Sequence, residues 1–156
     1  MNILIFGYGN PGRGDDALGP ELVAAIQAEN IPGIECQDDM QLQVEHVTDL
    51  TGRDAILFID ADASCVAPFH FSEISAEKDD SYTSHAMTPH ALLHAFHTVY
   101  GKDAPPAFLM RIRGYQFELG EALSSDASEN LEAASLFIRN LCKSPYAESW
   151  RSLHRG

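Results

Sequence analysis

Cysteine is scarce in this sequence. Only Cys36, Cys65 and Cys142 occur in 156 residues, an odd and widely spaced set without a Cys-x-x-Cys pair. That excludes a disulfide framework and a thiolate zinc site, and leaves the thiols as small buried or half-buried side chains. A metal, if held, is expected on carboxylate and imidazole. Basic residues are few as well: 10 Lys and Arg against 23 Asp and Glu give a formal charge of −13. A surface that negative repels phosphate backbones and anionic lipid, so neither nucleic acid nor membrane is an expected partner. Cations or a basic protein segment are what it attracts. No stretch approaches the ~20 apolar residues of a membrane span. The apolar run Ile3–Phe6 is too short for a secretory signal and has no basic segment before it. A cytoplasmic protein is expected, and a monomer. Repeats, low-complexity tracts and linkers are absent too.

What remains is ordinary globular material, with 45% apolar and 21% charged residues. The length fits one domain with a real core. The patterns alternate as in an α/β domain. Strands are expected at Met1–Phe6, Gly33–Gln37, Asp54–Asp60, Phe69–Ile74 and Ala107–Ile112. The run Asp54–Asp60 is apolar throughout between polar ends, as in a strand covered on both faces of a parallel sheet. Helical spacing marks Ala17–Glu29, a short segment from Leu42 to Leu50, Pro89–Tyr100 and Ser128–Cys142. Residues 75–84 are polar and read as an exposed loop. The expected fold is a three-layer α/β sandwich of about five mostly parallel, twisted strands with helices on both faces. It spans a single domain, 1–145, and the polar tail 146–156 is expected to be loosely held.

In an open parallel sheet the crevice lies beyond the carboxyl ends of the strands. Three segments reach that edge with chemically useful side chains. GYGNPGRGDD delivers Asp15 and Asp16 at a helix start, FIDADAS delivers Asp60 and Asp62, and SYTSHAMTPH delivers His85 and then His90. Gly7, Gly9 and Gly12 satisfy the G-x-G-x-x-G pattern of a dinucleotide turn. Two aspartates beside the helix N-terminus oppose a pyrophosphate there, however, and fit a cation better. One of the two is expected to cap the helix and leave the other free. Two carboxylates and an imidazole suit a borderline divalent metal with open coordination positions. His90, His94 and His97 lie near one face of their helix but lack the glutamate of H-E-x-x-H. They read as solvent-flank residues, with His90 the candidate for a place near the crevice. Ser64 and Cys65 stand in no nucleophile elbow.

These residues resemble the endopeptidases that mature [NiFe] hydrogenases. ILIFGYGNPGRGDDALGPELV is similar to that family's opening motif, LFIDADAS to its second and SHAMTPHALL to its third, in the same order over nearly the whole chain. The resemblance places Asp16, Asp60 and His85 on the family's metal-ligand and catalytic positions. It implies a hydrolase that recognises nickel already inserted in a hydrogenase large-subunit precursor and removes a C-terminal extension. The nickel arrives with the substrate, and no organic cofactor is implied. Hydrolysis then uses either the metal as Lewis acid or a carboxylate as base toward water. Gly9, Asn10 and Gly14, with Asp15, are expected to shape the turn carrying Asp16. Where family members have a D-G-G-type turn after the second strand, this chain reads CQDDMQLQVEH. Asp38, Gln41 and Glu45 are the residues expected to meet substrate there. Gly114–Ser124 looks like the branch serving bidirectional, NAD(P)-reducing hydrogenases. Two other readings stay open: a nucleotide-binding module using the glycine turn, and a non-catalytic nickel-binding chaperone.

Overall fold

The structure, a computed structural model, describes residues 1–78 and 87–153; His85 and most of the expected 75–84 loop lie outside the described residues. Five strands form one sheet: β1 (Ile3–Tyr8), β2 (Ile34–Asp39), β3 (Ala55–Asp62), β4 (Phe69–Ile74) and β5 (Ala107–Arg113). Their order is β2-β1-β3-β5-β4. All pairs are parallel except β4 against β5. This is the mostly parallel sheet expected from the sequence, and its helices lie on both faces.

Residue alternation decides which core each strand side feeds, because successive side chains point to opposite faces. Ile3, Ile5, Leu57, Ile59, Phe108 and Met110 face the layer built from α1 (Leu18–Gln27) and α3 (Ser125–Lys143). Leu4, Phe6, Ile56, Phe58 and Leu109 face the layer built from the 3-10 segment Val44–Leu50 and α2 (Pro89–Tyr100). The strand bounds move outward from expectation at the carboxyl edge. β1 continues through Gly7 and Tyr8, because both pair with β2 and Gly7 also pairs with β3. β3 reaches Asp62, paired with Arg113. α3 starts three residues early, since the Ser124 side chain caps the Ala127 N–H at 3.2 Å. No helix among the described residues is long and apolar enough to cross a membrane.

The expectation of a loose tail from residue 146 is overturned. Residues Ala147–Arg151 form a short helix, α4, and Trp150 is 1% exposed. Its indole N–H donates to the carbonyls of Leu141 and Ser144, both at 3.1 Å, and its ring meets Phe108 edge-on at 5.3 Å. Arg151 adds an ion pair to Glu73 on β4 at 2.9 Å. The polar composition hid a single large anchor. Trp150→Ala is expected to cost about 3–5 kcal/mol, as for other buried aromatics. Urea unfolding monitored by circular dichroism measures it, and an unchanged midpoint would contradict the anchoring role.

Candidate active site

The turn after β1 is built from its own side chains. Asn10 Oδ1 accepts the Gly12 N–H at 2.8 Å, and the Asn10 carbonyl accepts the Arg13 N–H at 3.1 Å. The Asn10 N–H donates to Asp16 Oδ2 at 2.6 Å, which closes the turn. Gly9 sits against Asp16 with φ 149°, and a Cβ there would strike the Asp16 carbonyl oxygen. Gly14 has φ 54°, in the left-handed region that favours glycine. A Cβ there would lie 2.5 Å from the Gln116 carbonyl.

Neither aspartate caps a helix, contrary to expectation: the 3-10 segment Gly14–Ala17 and α1 both begin without a side-chain cap. The two neighbours do unrelated jobs instead. Asp15 is fully buried and turned toward the loop 114–124. Its Oδ2 accepts the N–H groups of Tyr115 and Gln116 at 2.7 and 3.0 Å and the Ser124 hydroxyl at 2.7 Å, while Oδ1 accepts the Ser124 N–H at 2.7 Å. Burial pushes the Asp15 carboxyl up, but the hydrogen bonds from Ser124, Tyr115 and Gln116 outweigh it and hold the group below the usual carboxylate range. Asp16 faces the other way. One of its oxygens holds Asn10, and Oδ1 makes no hydrogen bond to a described residue.

Asp16 and Asp60 line one cleft of about 480 Å³ at the carboxyl ends of β1 and β3, where a parallel sheet places its ligands. Tyr8, Gly9, Asn10 and Arg13 form one wall, Met40 and Gln41 a second, and Met87, Thr88 and Pro89 at the start of α2 a third. Burial pushes the Asp60 carboxyl up to about 7; the charges of Asp16 and Asp62 add to this, and hydrogen bonding from Tyr8 and the Ala61 N–H opposes it. Tyr8 is itself held well above the usual phenol range by burial and by Asp60, so it remains a neutral donor. The sequence reading missed Tyr8 and Arg13. Their signal was position alone, one ending β1 and the other following the glycine turn.

The remaining expected residues divide. Gln41 joins the cleft, whereas Asp38 is exposed on the edge strand β2, opposite Gly7, and does not line it. Glu45 is exposed in the 3-10 segment. Asp62 is a structural residue, receiving the Ser64 N–H and hydroxyl at 2.8 Å each and pairing with Arg111 at 2.9 Å. His90 is not a cleft residue; its Nδ1 donates to the Ser75 carbonyl at 3.0 Å. His94 and His97 line a separate groove with Glu73, Asp103 and Arg151. Among the described residues no group of three or more His, Cys, Asp and Glu side chains is placed to hold a metal ion. Of the described carboxylates and imidazoles, Asp16 and Asp60 are the ones that line the cleft.

No protein-family model matches the sequence, and no relative appears among curated proteins. Solved structures do match. A [NiFe] hydrogenase maturation protease, HycI, from Thermococcus kodakarensis KOD1 is 23% identical, with a TM-score of 0.69 over 91% of this chain and 92% of its own. The hydrogenase maturating endopeptidase HybD from E. coli is 22% identical, with a TM-score of 0.70 over 92% and 94%. A solution structure of an endopeptidase from Escherichia coli gives a TM-score of 0.71 at 21% identity over the same shares. The chain therefore has the α/β fold of these maturation proteases over nearly its whole length.

Opposite pH behaviour is expected of Asp15 and Asp60. Asp15 titrates lower in the fold than unfolded, so its contribution is present above about pH 4 and is lost as pH falls through its folded pKa. Asp15→Asn is expected to cost on the order of 3 kcal/mol at pH 7, with a shrinking penalty in acid. Asp60 titrates higher in the fold, so its stabilising proton is lost as pH rises from about 4 through 7. Asp60→Asn is therefore expected to raise Tm at pH 8 in chelator, and less at pH 5. About 1 kcal/mol moves a domain of this size by roughly 2–4 °C. Differential scanning calorimetry across pH separates the two, and destabilisation by Asp60→Asn at pH 8 would contradict the assignment.

Proposed function

We propose that this chain is an endopeptidase that removes the C-terminal extension of a nickel-loaded [NiFe] hydrogenase large-subunit precursor. The carrying observation is the convergence of Asp16 and Asp60 on one cleft from the ends of two neighbouring strands. The Asp16 charge adds to the cost of ionising Asp60, and a divalent cation between them removes that cost. The likeness to solved maturation proteases supports the same reading. His85 is the third ligand in this proposal. Nickel belongs to the substrate, and its arrival brings the precursor's C-terminal segment into the cleft.

Each residue has a part in this reading. Asp16 offers Oδ1, with the Asn10 N–H fixing its carboxylate from behind. Asp60 is held rigidly in β3, and the neutral Tyr8 hydroxyl occupies one of its lone pairs. Without a cation, the Asp60 carboxyl exchanges its proton near neutral pH, the range a general base toward water needs. A glycine-turn nucleotide site is disfavoured, because Asp16 already takes the Asn10 N–H that a phosphate would use.

The test is cleavage of nickel-loaded large-subunit precursor from the same organism, followed by mass spectrometry of the released peptide. Asp16→Ala, Asp60→Asn and His85→Ala are each expected to slow processing by on the order of 10²-fold or more, as when a stabiliser of developing charge is removed. His94→Ala is expected to process at the wild-type rate. Unimpaired cleavage by Asp16→Ala, or no cleavage by wild type of any nickel-loaded precursor, would refute the reading.

A further inference from the structure

Between the end of β2 and the 3-10 segment Val44–Leu50, the chain runs along the cleft, joined to Met87 by the β-bridge at the buried Leu42. This stretch presents Gln41 and Met40, the latter 58% exposed, as one wall beside Asp16 and Asp60. Below it lies His46, 7% exposed, edge-on to Phe6 at 4.8 Å. His46 Nδ1 accepts the Gln43 N–H at 2.8 Å. An imidazole that accepts at Nδ1 carries its proton on Nε2. That proton points at Asp39 Oδ2, 3.1 Å away, and Asp39 Oδ1 in turn accepts the Met40 N–H at 2.7 Å. The Asp39 carbonyl also accepts the Gly9 N–H at 3.1 Å, which ties the same residue to the turn carrying Asp16.

We propose that His46 is a positioning residue: as its Nε2–H tautomer it clamps Asp39–Gln43 at both ends, and the segment so held sets the affinity of the cleft for its peptide. Both ring nitrogens are engaged by this clamp, so His46 takes no proton from substrate. The Gln41 amide supplies one donor set and one acceptor for the backbone of an extended peptide, and Met40 supplies an adaptable apolar contact. Both are useful only if the segment is fixed before binding, because ordering it on binding subtracts from affinity. The proposal rests on the peptidase reading and adds to it a determinant of KM outside the carboxylate pair.

The test pairs kinetics with spectroscopy on the full chain. Long-range ¹⁵N–¹H correlation of wild type is expected to show His46 Nδ1 unprotonated and Nε2 protonated. His46→Phe keeps the ring against Phe6 and removes both hydrogen bonds. It is expected to raise KM for the nickel-loaded precursor by about 10-fold, with kcat within about threefold, the pattern of lost binding rather than lost chemistry. His46→Asn, whose carbonyl replaces Nδ1 as acceptor, is expected to recover most of that loss. Amide exchange at Met40 and Gln43 is expected to quicken in the Phe variant and slow again in the Asn variant. Should His46→Phe fail to fold, Asp39→Ala cuts the same clamp from its other end. An Nδ1–H tautomer, an unchanged KM, or a fall in kcat alone overturns the proposal while leaving the peptidase reading intact. Failure of wild type to cleave overturns the peptidase reading, and this proposal with it.

Discussion

The cleft depends on one buried carboxylate that never enters it. Asp15 gathers four hydrogen bonds from residues a hundred or more positions away and pins the loop 114–124 against the turn after β1. Backbone bonds reinforce the joint, with the Gly14 N–H donating to Glu121, the Asp15 N–H to Gln116 and the Gly120 N–H to Gly12. The turn is held so firmly on that side that Asp16 is driven to the other. A short, strained loop becomes a rigid mount for a ligand, because the anion that secures it and the anion that works are adjacent in sequence and opposite in direction.

The electrostatics of the cleft follow from that mount. Two carboxylates share a partly buried space, and Arg13, among the described residues the one cationic side chain that lines it, makes no side-chain hydrogen bond or ion pair to a described residue. Asp62, two residues beyond Asp60, is neutralised by Arg111 and Ser64 and so is removed from the chemistry. At Asp60 the hydrogen bonds from Tyr8 and the Ala61 N–H do not offset burial, and the group keeps its proton toward neutrality. The two carboxylates repel an entering anion, and on the proposed reading a cation would relieve them.

Much of this was legible in the sequence where periodicity and position carry the signal. The continuous run through Ala55–Ile59 announced a strand buried on both faces, and aspartates at strand ends in a parallel sheet announced the cleft. The roles of Asp15 and Asp16 were not legible, because identical neighbours on a turn are distinguished only by partners a hundred residues downstream. Trp150 escaped for a related reason: in a short segment dominated by polar and charged residues, composition does not announce one buried indole, yet its area and its N–H are enough to dock a helix. Tyr8 was hidden by Gly7, which reads as a turn but lies within the β1 ladder. His46 was hidden because a histidine becomes a clamp only through the donors that surround it.

The parallel pairing of β1 with β3 sets Ile3 opposite Ala55, so the two carboxylates are brought together by the tertiary fold and by nothing local. A partly synthesised or locally opened chain carries two separate, ordinary aspartates with no special appetite for metal. On the proposed reading, a cation held across them would favour the folded molecule alone, and each bound ion would deepen the native basin by mass action. On the proposed reading, the site exists only once the chain has folded, and holding its substrate's metal would make that fold harder to undo.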